Sequence, residues 1–137
     1  MARYTALIDG KSGAYGVVFP DLPGCTAMGA TLETAIANAA GAMRDWMDVT
    51  LEQGGKIPDA RSLEDLRKDP DVVLALGEGA SLAFVPLVRE TGRPAKANLS
   101  IDAGILAAID AEAARRKLTR SAFVEMMAKH ALAELAG

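Results

Sequence analysis

Lys96-Ala97-Asn98-Leu99-Ser100-Ile101 alternates polar with apolar residues, and two segments of helical pattern follow it at once. Side chains at i, i+2 and i+4 share one face of a strand. One face therefore carries Lys96, Asn98 and Ser100: a cation, an amide and a hydroxyl. The other carries Ala97, Leu99 and Ile101 and can pack on helices. A lone strand of this length cannot satisfy its own backbone N–H and C=O groups. This part of the chain holds no second copy, so the simplest partner is the same segment of another molecule. The product is a two-stranded antiparallel ribbon on a helical base, narrow enough to enter the DNA major groove.

Outward from this stretch, Asp102 suits the N-cap of a helix over about 103–116. Ile105, Leu106, Ile109 and Ala113 recur there at helical spacing. Arg115, Arg116 and Lys117 gather at its end, where cations suit the helix dipole. Thr119 caps a second helix over about 120–135, whose buried side is expected to hold Phe123, Val124, Met127, Ala131 and Leu132. By default an alternating hexapeptide is a half-buried strand and a Thr-x-Ser start is a cap. The order of all these features is more specific than any one of them. Asn98-Leu99-Ser100-Ile101, the Ile109-Asp110 pair, and Thr119-Arg120-Ser121 ahead of Phe123 resemble the ribbon-helix-helix family of dimeric DNA-binding proteins.

That resemblance implies roles by position. Lys96, Asn98 and Ser100 would face base edges, where Asn pairs with adenine and Lys favours guanine acceptors. Ser100 is shorter than the Arg or Lys common at that point in the family. Thr119, Arg120 and Ser121 would offer free backbone N–H groups and a guanidinium to a phosphate. Ala97, Leu99 and Ile101 would form the shared core of the ribbon.

Length and composition set the frame. A chain of 137 residues has room for one ordinary domain or two small ones, and half its residues are hydrophobic, enough for a packed core. Residues 1–92 hold 8 Lys+Arg against 13 Asp+Glu, giving −5, while residues 93–137 hold 7 against 5, giving +2. Such asymmetry suits an acidic partner-binding part joined to a mildly basic nucleic-acid arm. Cys25 is the lone cysteine, so an internal disulfide is excluded and a reducing compartment is expected. With no apolar run near ~18 residues and no signal-peptide pattern, a cytoplasmic protein without membrane contact is expected.

The N-terminal part reads as a hairpin, a third strand and a helix. Residues 4–8 form a strand, residues 9–13 a turn, and residues 14–19 the returning strand. Pro20-Asp21-Leu22-Pro23-Gly24 is a rigid loop, and residues 25–29 a short third strand. Thr31 caps a helix over about 32–53, with Ile36, Ala39, Ala40, Met43, Trp46 and Met47 on its buried side. Further on, Ser62 and Asp65 resemble a capping box for a turn over 63–68, and Pro70 opens a short helix through 72–76. Residues 81–87 read as a final strand, with Pro86 placing its end at a sheet edge.

Phe19-Pro20-Asp21-Leu22-Pro23-Gly24-Cys25, then small residues, Thr31-Leu32-Glu33 and an alanine-rich helix, resembles the HicB antitoxin family. The resemblance implies an α+β protein: residues 1–90 as a partial RNase H-like domain with a small antiparallel sheet and one long helix, 91–94 as a linker, and 95–137 as the dimeric ribbon-helix-helix domain. It further implies an antitoxin that holds a HicA-like, mRNA-cleaving toxin inactive and represses its own operator as a homodimer or a higher oligomer. The alternative is a dimeric transcription factor whose acidic domain senses another ligand or protein.

Catalysis has little to stand on. An RNase H-type reaction needs carboxylates clustered round two metal ions; Asp9, Asp21 and Asp45 are the candidates, each in an ordinary place for a solvated acid. His130 lies far in sequence from these acids, and packing is the expected role of Cys25 and Trp46. The expectation is no enzyme, no catalytic residue, no metal and no cofactor. Asp9, Asp21, Glu33, Asp45, Asp48 and Glu52 are the acids available to face a basic toxin.

Overall fold

The computed structural model describes residues 3–88 and 90–136. In chain order they form β1 (Arg3–Lys11), β2 (Ala14–Val18), β3 (Thr26–Gly29), α1 (Leu32–Glu52), α2 (Leu63–Leu66), α3 (Pro70–Gly77), β4 (Ser81–Pro86), α4 (Ala103–Arg115) and α5 (Arg120–Ala136). The chain divides into two compact units, the second being Glu90–Leu135.

In the first unit the strands lie in the order β3-β2-β1-β4, each antiparallel to its neighbour. β1 is central and buried from Tyr4 to Ile8 because both sheet faces are covered there. Tyr4, Ala6 and Ile8 join Val17, Phe19, Val85 and the buried side of α1 in the main core. Leu7, on the opposite face, meets Leu66 of α2 and Val72 of α3. Each such side chain, fully buried, contributes about 1.5–3 kcal/mol relative to exposure. α1 starts where Thr31 Oγ1 accepts the Thr34 N–H at 3.1 Å. Its alanines let it approach the sheet closely: a Cβ on Gly29 would lie 2.4 Å from the Ala35 nitrogen.

The expected turn over 9–13 is shorter in the structure. β1 continues to Lys11, with Asp9 opposite Gly16 and Gly10 opposite Tyr15, and only residues 12 and 13 turn. Gly10 makes this feasible. It holds φ at 93°, and a Cβ there would lie 2.1 Å from the Ala14 carbonyl oxygen. α2 ends at Leu66 rather than Lys68, although Ser62 accepts the Asp65 N–H as expected. α3 opens on Pro70 and is capped by Asp69, which accepts the Asp71 N–H at 2.9 Å. β4 is an edge strand, with Pro86 at its end opposite Arg3.

The second unit is two helices and the segment before them. Asp102 caps α4, accepting from Gly104 and Ile105 at 2.9 and 3.1 Å. α4 closes in a Schellman arrangement: Leu118 N–H donates to Ala113 C=O at 2.8 Å and Lys117 N–H to Ala114 C=O at 3.1 Å. Lys117 sits at φ 57°, where glycine is the usual residue. Thr119 Oγ1 then accepts the Ala122 N–H at 3.1 Å. Residues 96–101 are neither helix nor strand. A ladder needs a second backbone, and among the described residues this chain supplies none for them. The expected strand was one shared between two chains, and a single chain leaves it unformed.

Candidate functional site

Residues 91–102 are exposed throughout. Lys96, Asn98 and Ser100 are open to solvent, and so are the apolar positions between them: Leu99 is 70% exposed and Ile101 37%. Ile105 in the first turn of α4 is 58% exposed. Among the described side chains of α4 and α5, Ala113 and Phe123 are the buried ones, while Leu106, Ile109, Val124, Met127 and Leu132 are half-buried and Ala131 is exposed. The buried side expected for these helices is therefore incomplete within one chain.

Three arginines at the corner between α4 and α5 are held by neighbouring side chains. Glu112 accepts from both Arg115 and Arg116, whose guanidinium hydrogen bonds pull its carboxyl down to about 2. The Arg116 guanidinium also lies 5.7 Å from the centroid of the Phe123 ring. Arg120 donates Nε and Nη2 to the two oxygens of Asp110, both at 2.8 Å. This pairing holds Asp110 below the usual carboxylate range. Sequence reading noted Asp110 in the Ile109-Asp110 pair and Arg120 separately, and missed that they meet ten residues apart. The Thr119, Arg120 and Ser121 positions stand together at the start of α5, as expected from the chain order.

In the first unit, Asp21 corrects the expectation of a solvated acid. It is 7% exposed and accepts the Arg61 backbone N–H at 2.9 Å together with Arg61 Nε. Arg61 also donates to Asp69, the cap of α3, at 3.0 Å. One arginine thus ties the Pro20-Asp21-Leu22-Pro23 loop to the α2–α3 segment. The forty-residue separation of Asp21 and Arg61 carries no periodic signal, which is why the sequence hid it. Tyr4 adds a parallel tie, its hydroxyl donating to Pro58 C=O at 2.7 Å.

Beside that loop an open groove of about 550 Å³ runs between residues 24–26 and the C-terminal half of α1. Ala42, Trp46 and Val49 line it with Asp45, Thr50 and Gln53. Trp46 is half-buried and its indole N–H donates to Pro23 C=O at 3.0 Å, so it is both core and wall. Cys25 is buried at the groove's edge; burial pushes its thiol up, and the Asp45 carboxylate adds to that. His130 is exposed, 3.0 Å from Glu134 on its own helix. Asp9, Asp21 and Asp45 do not come together: among the described residues no three His, Cys, Asp or Glu side chains are grouped to hold a metal ion. Nor is any described helix long and apolar enough to cross a membrane.

Comparison with known proteins agrees with this architecture. The family model for HicB-like antitoxins of bacterial toxin–antitoxin systems matches residues 4–128. The antitoxin HicB of Burkholderia pseudomallei, in its crystal structure, is 30% identical with a TM-score of 0.50, covering 98% of each chain. Its N-terminal domain, solved alone, is 25% identical at TM-score 0.50, covering 64% of this chain and 99% of that one. The structure of a HicA3 and HicB3 toxin–antitoxin complex contributes a chain 24% identical at TM-score 0.54, with the same 64% and 99% coverage. An uncharacterised 14.9 kDa protein of Haemophilus phage HP1 is 28% identical over 107 residues, 78% of either sequence. The α+β architecture, its four-stranded antiparallel sheet and the extent of the match make this chain a member of the HicB-like antitoxin family of bacterial toxin–antitoxin systems.

Proposed function

We propose that this antitoxin neutralises a HicA-like, mRNA-cleaving toxin by direct binding, and represses its own promoter by gripping operator DNA as a dimer. Residues 1–90 serve the toxin, residues 95–137 the DNA, and 91–94 link them. One observation carries the dimer: a segment of alternating pattern, 96–101, leaves Leu99 70% exposed ahead of two capped helices that bury little of their own apolar surface. Pairing with a second copy gives the segment its ladder and removes Ala97, Leu99 and Ile101 from water.

On that ribbon Lys96, Asn98 and Ser100 read base edges, with Asn98 making the paired hydrogen bonds to adenine. Backbone N–H groups at the start of α5 and the side chains of Thr119, Arg120 and Ser121 hold a phosphate. Two donors of Arg120 are taken by Asp110. A guanidinium has five, so the carboxylate fixes the fork while the others remain for phosphate. An inhibitor need not copy the reaction that it blocks. An acidic surface opposes a basic, RNA-binding toxin by steering association and competing with RNA phosphate.

Co-expression of the antitoxin with any small basic protein encoded beside its gene, followed by a band-shift with the upstream DNA, tests the proposal. Expected are a stable complex of the two proteins, arrest of RNA cleavage, and a salt-sensitive shift of the DNA. DNA binding without any such partner would favour a transcription factor that senses something else.

A further inference from the structure

We propose that the groove between residues 24–26 and the C-terminal half of α1 seats a Lys or Arg side chain of the toxin, with Asp45 as its counter-ion. The inference rests on the toxin-binding reading above and says where on the first unit the contact falls.

The groove's chemistry suits that guest. Ala42, Trp46 and Val49 make an apolar wall, and Asp45 is its charged group. The Trp46 ring is fixed in place by its bond to Pro23 C=O, and the Thr50 hydroxyl is turned inward to Trp46 C=O at 2.8 Å. A long basic side chain lays its methylenes along an apolar wall while its head meets a carboxylate or an aromatic face.

Electrostatics point the same way. α1 carries Asp45 and Glu52 in its C-terminal part, and its last turn holds no basic residue. The C-terminal end of a helix already bears partial negative charge, so acids there work against the helix that displays them. Arg44 is the single cation of α1. The resulting negative field invites a positive partner from outside the chain. A second copy of this unit, with 8 Lys+Arg against 12 Asp+Glu over residues 1–89 and so −4, brings charge of the same sign and is repelled. A protein that binds RNA brings the complement.

The test uses residues 1–137 and a purified HicA-like toxin from the same genome, carrying an inactivating substitution, with affinity measured calorimetrically at several salt concentrations. Asp45 and Val49 are surface positions, so thermal midpoints should stay near wild type. Asp45→Arg is expected to weaken binding by about tenfold or more, and Asp45→Asn by a few-fold with a shallower salt dependence. Val49→Trp, which fills the groove without changing its charge, should weaken binding too. Glu33→Lys makes a like charge reversal at the far end of α1 and should alter affinity by less than about twofold. Undiminished binding by Asp45→Arg, or an equal loss in Glu33→Lys, overturns the groove as the seat while leaving toxin binding itself standing. If wild type binds no such toxin, the toxin reading falls and takes the groove with it.

Discussion

Met43 and Met47 of α1 are fully buried, whereas Leu99, Ile105 and Leu135 of the second unit are 70%, 58% and 73% exposed. The first unit closes its core with its own elements: α1 covers one sheet face, α2 and α3 part of the other. The second unit has capped helices and a well-formed corner but too few of its own residues to cover its apolar positions. Good local signals thus coexist with an unfinished tertiary core. Helix caps and turns are set by neighbours in sequence, while burial depends on what else is present. The proposed pairing of two copies would account for the difference: the first unit closes its own core, and the second would close its core against its partner.

The contrast can be broken at its strongest point. Leu99→Asp places a charge in the proposed ribbon core of each partner, so it is expected to abolish dimerisation and operator binding together. The melting of the first unit should be unchanged. A stable dimer of that variant by sedimentation would contradict the assignment. Met43→Ala is the converse. It opens a cavity in the self-contained core and should cost about 2–5 kcal/mol by urea denaturation, at any protein concentration. A smaller effect follows from Asn98→Ala: about 1–3 kcal/mol of operator affinity and relaxed preference at one base position. If operator selection is unaltered, the ribbon does not read bases through that residue. Arg120→Ala should instead weaken binding to all DNA sequences and lower the salt slope by about one.

The smallest expected effect is in acid. Glu112 is held at about 2 in the folded protein against an ordinary value of 4.5. A depressed carboxyl stabilises above its unfolded value and loses that contribution as the pH falls from about 4.5 towards 2. Thermal midpoints of Glu112→Gln should therefore decline less steeply than wild type across that window. Because the group is exposed, screening keeps the difference small.

Much of the fold was legible because its signals were local. Thr31, Ser62, Asp102 and Thr119 each announced a helix start that the structure contains. The apolar stripe of α1 located the helical side of the main core. What escaped was non-local or geometric. Gly10 was read as a turn residue, yet its positive φ keeps it within the ladder. Asp21, flanked by prolines, read as solvated until Arg61 met it from forty residues away. The Asp110–Arg120 fork crosses a helix corner whose shape depends on Lys117 adopting a conformation typical of glycine. Toxin-facing residues cannot be sorted from composition, since six acids look alike in sequence, whereas the structure places Asp45 on the wall of the groove beside residues 24–26.

Sedimentation of the full-length chain over a wide concentration range, with and without its upstream DNA, tests the pairing most directly. The account predicts a dimer at the concentrations where the DNA is bound, with the transition of the second unit shifting as protein is diluted. Monomers that are fully folded and still bind the duplex tightly would contradict it.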